Sequence, residues 1–138
     1  VDQAQGIVDS DPWLPENLIP LEARLGALRY RAGAREKGKG EVDGALAQFD
    51  AQRATIVDIY RAGALRPIAE AYQALGDRER ALAVYERVVE EGLGNPNSRP
   101  RAEDLVATCL SLAKNGVELD EELAARLEKV CAGLGVPW

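Results

Sequence analysis

The chain has no histidine and no methionine, two cysteines among 138 residues, and a 5% share of aromatic side chains. Without histidine there is no Ser-His or Cys-His nucleophile pair, no imidazole general base and no His-containing metal site. Two isolated cysteines cannot by themselves complete a zinc site. No run approaches the roughly 18 apolar residues that a membrane-spanning helix needs. No initiator methionine precedes Val1-Asp2-Gln3. Two readings follow: an exported, periplasmic-type protein freed of a leader, which is the expectation taken here, or a segment of a longer, cytoplasmic chain.

What is present describes an acidic globular chain. Lys and Arg total 17 against 23 Asp and Glu, giving a net charge of −6, while 46% of residues are hydrophobic. That apolar share excludes wholesale disorder, and the acidic balance disfavours a general nucleic-acid binder. Arg24, Arg29, Arg31, Arg35, Lys37 and Lys39 make one basic stretch, offset only by Glu36, with no interleaved stacking aromatics. A solvated surface is its plain reading; an anionic partner or headgroup is the alternative.

Alanine and leucine recur, β-branched residues are scarce and no strand-like alternation persists, so the composition is all-α. Residues 1–16 form an irregular leader, because Asp11-Pro12-Trp13-Leu14-Pro15 carries two prolines. Residues 17–134 divide into about six helices, leaving 135–138 as a tail. The first helix carries Leu18, Leu21, Leu25, Leu28 and Ala32 at helical spacing and ends at the glycines of Lys37-Gly38-Lys39-Gly40. The second runs from about Glu41 to Ala62, burying Leu46, Phe49, Ile56, Val57 and Tyr60, with Gly63 as its cap. The third starts near Arg66-Pro67 and ends at Leu75; Gly76-Asp77 turns into the fourth, about 78–91, with Asp77 as cap. After a Gly/Asn/Pro/Ser-rich loop, the fifth spans about 101–115. Asp120 caps the sixth, whose stripe is Leu123, Leu127, Val130 and Leu134. Short connections favour antiparallel neighbours, hence three stacked helical hairpins.

From Ala62 to Asn95, Leu65, Ile68-Ala69, Tyr72, Gly76-Asp77, Ala81, Tyr85 and Val88 follow one another at characteristic spacing. This segment resembles a tetratricopeptide repeat, a helical hairpin of about 34 residues. The terminal proline departs from the pattern, being displaced to Pro96. Leu105, Thr108-Cys109, Leu112 and Gly116 reproduce the first-helix pattern more loosely, and Leu25, Leu28, Ala32, Ala45 and Phe49 give a third, degenerate unit. The resemblance implies a right-handed stack of three hairpins, a non-catalytic scaffold that binds a protein or peptide in the groove lined by each first helix. A generic helical bundle is the alternative. Carried over by position, the groove residues are Arg66, Glu70 and Gln73, then Val106, Leu110 and Ala113, with Tyr30 added from the first unit. The fifth helix also has two apolar faces, Leu105/Cys109/Leu112 and Val106/Leu110/Ala113; the second needs a cover from the chain's own ends or from a partner.

Trp13 and Trp138 sit in proline-bracketed tails and read either as caps on the stack or as docking points in a larger assembly, the role of an accessory subunit. Cys109 and Cys131 are expected as two buried free thiols, because their axial offset of about 7 Å is near the outer limit for a bridge. The pairs Glu90-Glu91, Glu103-Asp104 and Glu121-Glu122 point about 100° apart on a helix and do not converge for acid/base work. Gly38-Lys39-Gly40 lacks the spacing of a phosphate loop. No catalytic residue, cofactor site or metal site is expected.

Overall fold

In the computed structural model, residues 1–133 are described; they form seven helices and no strand. These are α1 (Asp2–Ser10), α2 (Pro15–Arg31), α3 (Arg35–Gln52), α4 (Asp58–Leu75), α5 (Arg78–Leu93), α6 (Ser98–Lys114) and α7 (Glu121–Gly133). None is long and apolar enough to cross a membrane. Helix α4 is the centre of the molecule and packs against α2, α3, α5 and α6; α2 also packs on α3, α5 on α6 and α7, and α1 on α2. The core joins Ile19, Val42, Phe49 and Ile56 from the first half to Leu65, Ile68, Tyr72, Tyr85, Val88 and Leu123.

The elements from Gly76 onward follow local chemistry closely. Gly76 takes the left-handed conformation, φ +80°, that ends α4, and the Arg80 amide donates to Asp77 Oδ1 at 3.3 Å to cap α5. Gly116 ends the α6 turn at φ +59°, and the Leu123 amide donates to Asp120 Oδ1 at 2.8 Å.

Upstream, tertiary contacts override the punctuation. The leader is not irregular throughout: α1 precedes the proline-bracketed break, which is confined to the residues between Ser10 and Pro15. It is fastened by buried Val8 and by the 7%-exposed Arg29, whose Nη2 donates to Gln5 Oε1 at 2.8 Å and whose Nη1 lies 3.3 Å from Asp2 Oδ1. The α2–α3 turn falls at Gly33, φ +100°, and not at Gly38-Lys39-Gly40, which lies inside α3. The expected helix of 41–62 is interrupted after Gln52, where Thr55, Ile56 and Val57 are β-branched and disfavour helix. Ile56 turns inward, whereas Val57 and Tyr60, expected in the core, are exposed. Arg61 Nε donates to the Arg53 and Ile56 carbonyls and so satisfies acceptors left at that break. Consequently α4 begins at Asp58, and Gly63 and Pro67 lie within it instead of marking an end and a start.

Gly38 has a different task from turning the chain. A Cβ built there would sit 2.5 Å from both the Gly26 carbonyl oxygen and the Tyr30 amide nitrogen. Two glycines therefore let α2 and α3 touch backbone to backbone, while Gly40, two residues away, faces open space. Gly38→Ala is expected to destabilise by about 2 kcal/mol or more through overpacking, and Gly40→Ala to stabilise by about 0.5–1 kcal/mol through helix propensity. Urea unfolding of both variants checks the pair; equal effects would contradict the close crossing.

Candidate interaction surface

The side chains assigned to a groove separate into two groups in space. Arg66, Glu70 and Gln73 all point from α4 to α6. Arg66 Nε donates to Thr108 Oγ1 at 3.3 Å, and its Nη2 reaches the Asp104 carbonyl and Oδ1 at 3.4 and 3.3 Å. Gln73 Nε2 donates to the Asn115 carbonyl at 3.3 Å. Between them, Ser111 donates to Glu70 Oε1 at 2.5 Å and lies 2.8 Å from the Tyr85 hydroxyl. Because Ser111 gives its single proton to the carboxylate, Tyr85 is the donor in the second bond. Burial, only partly offset by Arg66, holds the Asp104 carboxyl above its ordinary range. These residues join two helices, each through at least one of its polar atoms.

Val106, Leu110 and Ala113 are exposed, the first two at 59% and 53%. They lie about 200° around α6 from the residues that meet α4. They are therefore a separate apolar stripe at one end of the molecule. Tyr30 belongs to neither group: its backbone lies against Gly38, and Arg35 stands 5.7 Å from its ring centroid. The indole nitrogen of Trp13 donates to the Val8 carbonyl at 3.0 Å, so this ring fastens the end of α1. Trp138 and Leu134 lie outside the described residues. Cys109 and Cys131 are free but exposed, which corrects the expectation of buried thiols; the inward positions of α6 beside Leu105 and Leu112 are taken by Thr108 and Ser111.

A groove that the sequence did not mark runs between α2 and α4. It holds about 310 Å³ and is bounded by Arg24, Ala27, Leu28 and Arg31 on α2 and by Pro67, Glu70, Ala71 and Ala74 on α4, with Asn115 at one end. Leu28 belongs to the apolar stripe of the first helix, yet it is 50% exposed here, whereas Leu25 is buried. The readable signal was the order Arg24, Leu28, Arg31 on one helix face. The opposite wall depends on how α4 docks, which no local pattern specifies.

A second cavity of about 570 Å³ lies where α1 crosses α2 and α3, lined among others by Asp9, Glu22, Arg29, Lys37 and Glu41. Arg29 Nε is 2.9 Å from Glu41 Oε1, an ion pair without hydrogen-bond geometry, and Glu41 Oε2 is buried without a partner. The acidic side chains do not gather into a metal site; among the described residues no group of three or more cysteines and carboxylates is placed to hold an ion. Compared with protein-family models, curated proteins and solved structures, the chain matches none.

Burial first, then the charges of Asp9 and Glu41, hold the Glu22 carboxyl above its ordinary value of 4.5. The native state thus binds this proton more tightly than the unfolded chain does. The associated stability is fully present below the ordinary value and is lost as pH rises through the raised one. Glu22→Gln is expected to melt on the order of 1–3 °C above the native sequence near pH 7 and to converge with it near pH 4. A gain that persists at the lower pH, or no gain at the higher, would contradict this origin.

Proposed function

We propose that the chain is a non-catalytic protein-interaction module, a tetratricopeptide-like stack in which the hairpins α2–α3 and α4–α5 are followed by α6 and α7, the last packing on α5 more than on α6. In this reading it receives a segment of a partner protein on the side where α2 and α4 lie together. The observation that carries it is the groove between those helices, which half-exposed Leu28 lines together with Ala27, Ala71 and Ala74. A large aliphatic side chain held at the edge of a concave, largely apolar surface supplies the contact that a protein ligand needs. The order of contacts supports the stacked arrangement: α2 meets α4, and α4 meets α6, as successive first helices of a repeat array would. The polar residues Arg66, Glu70 and Gln73 serve this reading by holding α6 in line with α4.

A second reading rests on the α6 stripe. Val106, Leu110 and Ala113 cover one end of the molecule, where a neighbouring subunit of a larger assembly would pack. The two readings separate by substitution. Leu28→Asp is expected to reduce partner capture at least about tenfold, with melting shifted by no more than a few degrees because the side chain is half in water. The double variant Val106→Asp/Leu110→Asp is expected to leave capture unchanged. Co-purification from the native source, quantified by mass spectrometry, checks both. Loss of capture in the α6 variant alone would replace the module with the subunit.

A further inference from the structure

The charge around the α2–α4 groove identifies the chemistry of its occupant. The chain has thirteen arginines, and most are already engaged within the described residues. Arg29, Arg53, Arg66, Arg78, Arg80, Arg87, Arg99 and Arg126 form ion pairs with carboxylates. Arg61 and Arg101 donate to backbone carbonyls, and Arg35 lies over the Tyr30 ring. Arg24 and Arg31 are the two left with no carboxylate, carbonyl or ring partner among the described residues. Both are exposed and both border the same groove.

This placement is unusual in a chain with six more acidic than basic residues. Arg24 and Arg31 are seven residues apart, two helical turns, so their stems leave the same face of α2 about 10 Å from each other. Ala27 and Leu28 lie between them, and Ala71 and Ala74 face them from α4. The groove therefore offers an apolar strip flanked by two positive charges. Glu70 lines it too and keeps its negative charge, because the neutral Ser111 hydroxyl donates to Oε1 alone; two guanidiniums against this one carboxylate still leave the groove net positive.

We infer that the α2–α4 groove binds an acidic amphipathic segment of a partner protein, one that presents aliphatic side chains to Leu28 and carboxylates to Arg24 and Arg31. This rests on the groove being the interaction surface and adds the chemical class of its ligand. Guanidinium groups pair with carboxylates in bidentate fashion, and a flanking apolar contact excludes water from the pairs. An RNA strand would find the same charges but no aromatic platform, because Ala27, Leu28, Ala71 and Ala74 offer no ring for a base to stack on.

The test uses the full chain and three fluorescent probes of about twelve units. These are a leucine/glutamate peptide with helical spacing, the same peptide with lysine for each glutamate, and an oligouridylate. Fluorescence polarisation gives affinity, and amide shifts in a nitrogen-15 spectrum locate the binding. The acidic peptide is expected to bind about tenfold more tightly than the lysine peptide and the RNA, and to lose this advantage at high salt. Its shifts should centre on Ala27, Leu28, Ala71 and Ala74. Arg24→Glu/Arg31→Glu should reverse the preference while shifting the melting temperature by no more than a few degrees, since neither side chain has a hydrogen-bond, ion-pair or ring partner among the described residues. The inference is overturned if the preference survives this double substitution, if the RNA binds best, or if the shifts fall on Val106 and Leu110. It is also overturned if no probe binds while Leu28→Asp still abolishes capture of the native partner; that result leaves the groove as the interaction surface and removes only the acidic ligand.

Discussion

Burying α4 on most of its circumference is the constraint on which the rest of the structure depends. Its buried residues, Ala62, Ala64, Leu65, Pro67, Ile68, Ala69, Ala71 and Tyr72, sweep an arc of about 220° at 100° per residue. Small side chains dominate that arc because neighbours approach from several directions at once. The polar residues fall on what remains, and there they must find partners or leave desolvated groups unpaired. Arg66, Glu70 and Gln73 find theirs on α6, and Tyr72 donates from the core to Asp43 at 2.8 Å. Burial first and Asp43 next raise the Tyr72 phenol to about 12, so near neutral pH it keeps the proton it donates.

The same constraint explains why the periphery differs from the centre. Helix α3 and its C-cap Arg53 are clipped to α5 by Arg53–Glu91, Arg80–Asp43 and Arg87–Asp50; the last two are partly exposed pairs that contribute little individually, whereas the Glu91 carboxylate is mostly buried. Helix α1 is held by one buried valine, one tryptophan N–H and the Arg29 fork. Helix α6 sits between these extremes, since polar contacts attach one of its faces to α4 while the face opposite is bare.

Helix type and most turns were legible in the sequence wherever a single residue decides the outcome locally. Gly76, Asp77, Gly116 and Asp120 act through their own backbone freedom or their own carboxylates, and all four stand where the pattern placed them. The errors fall where a residue answers to another helix. Gly38 looked like a turn because its partner, Gly26, lies a helix away; only their meeting reveals a close crossing. Pro67 looked like a start because the preceding break sits at Thr55–Val57, where Ile56 is drawn into the core. The candidate surface divides in the same manner. The second apolar face of α6, Val106, Leu110 and Ala113, was legible from the spacing, but its exposure was not, because a cover from the chain's own ends fits the same pattern. The roles of Arg66, Glu70 and Gln73 were not legible either, because a polar side chain on a first helix has the same spacing whether it meets a ligand or the next helix.

The claim that α4's polar side chains are structural joints, and not ligand contacts, is tested most directly by a double-mutant cycle. Glu70→Ala, Ser111→Ala and the double variant, unfolded in urea without any ligand, isolate the energy of their mutual bond. A coupling of about 0.5–3 kcal/mol is predicted, with each single change destabilising the isolated chain. Additive effects, within about 0.3–0.5 kcal/mol, would contradict the joint and return Glu70 to the set of side chains available for a partner.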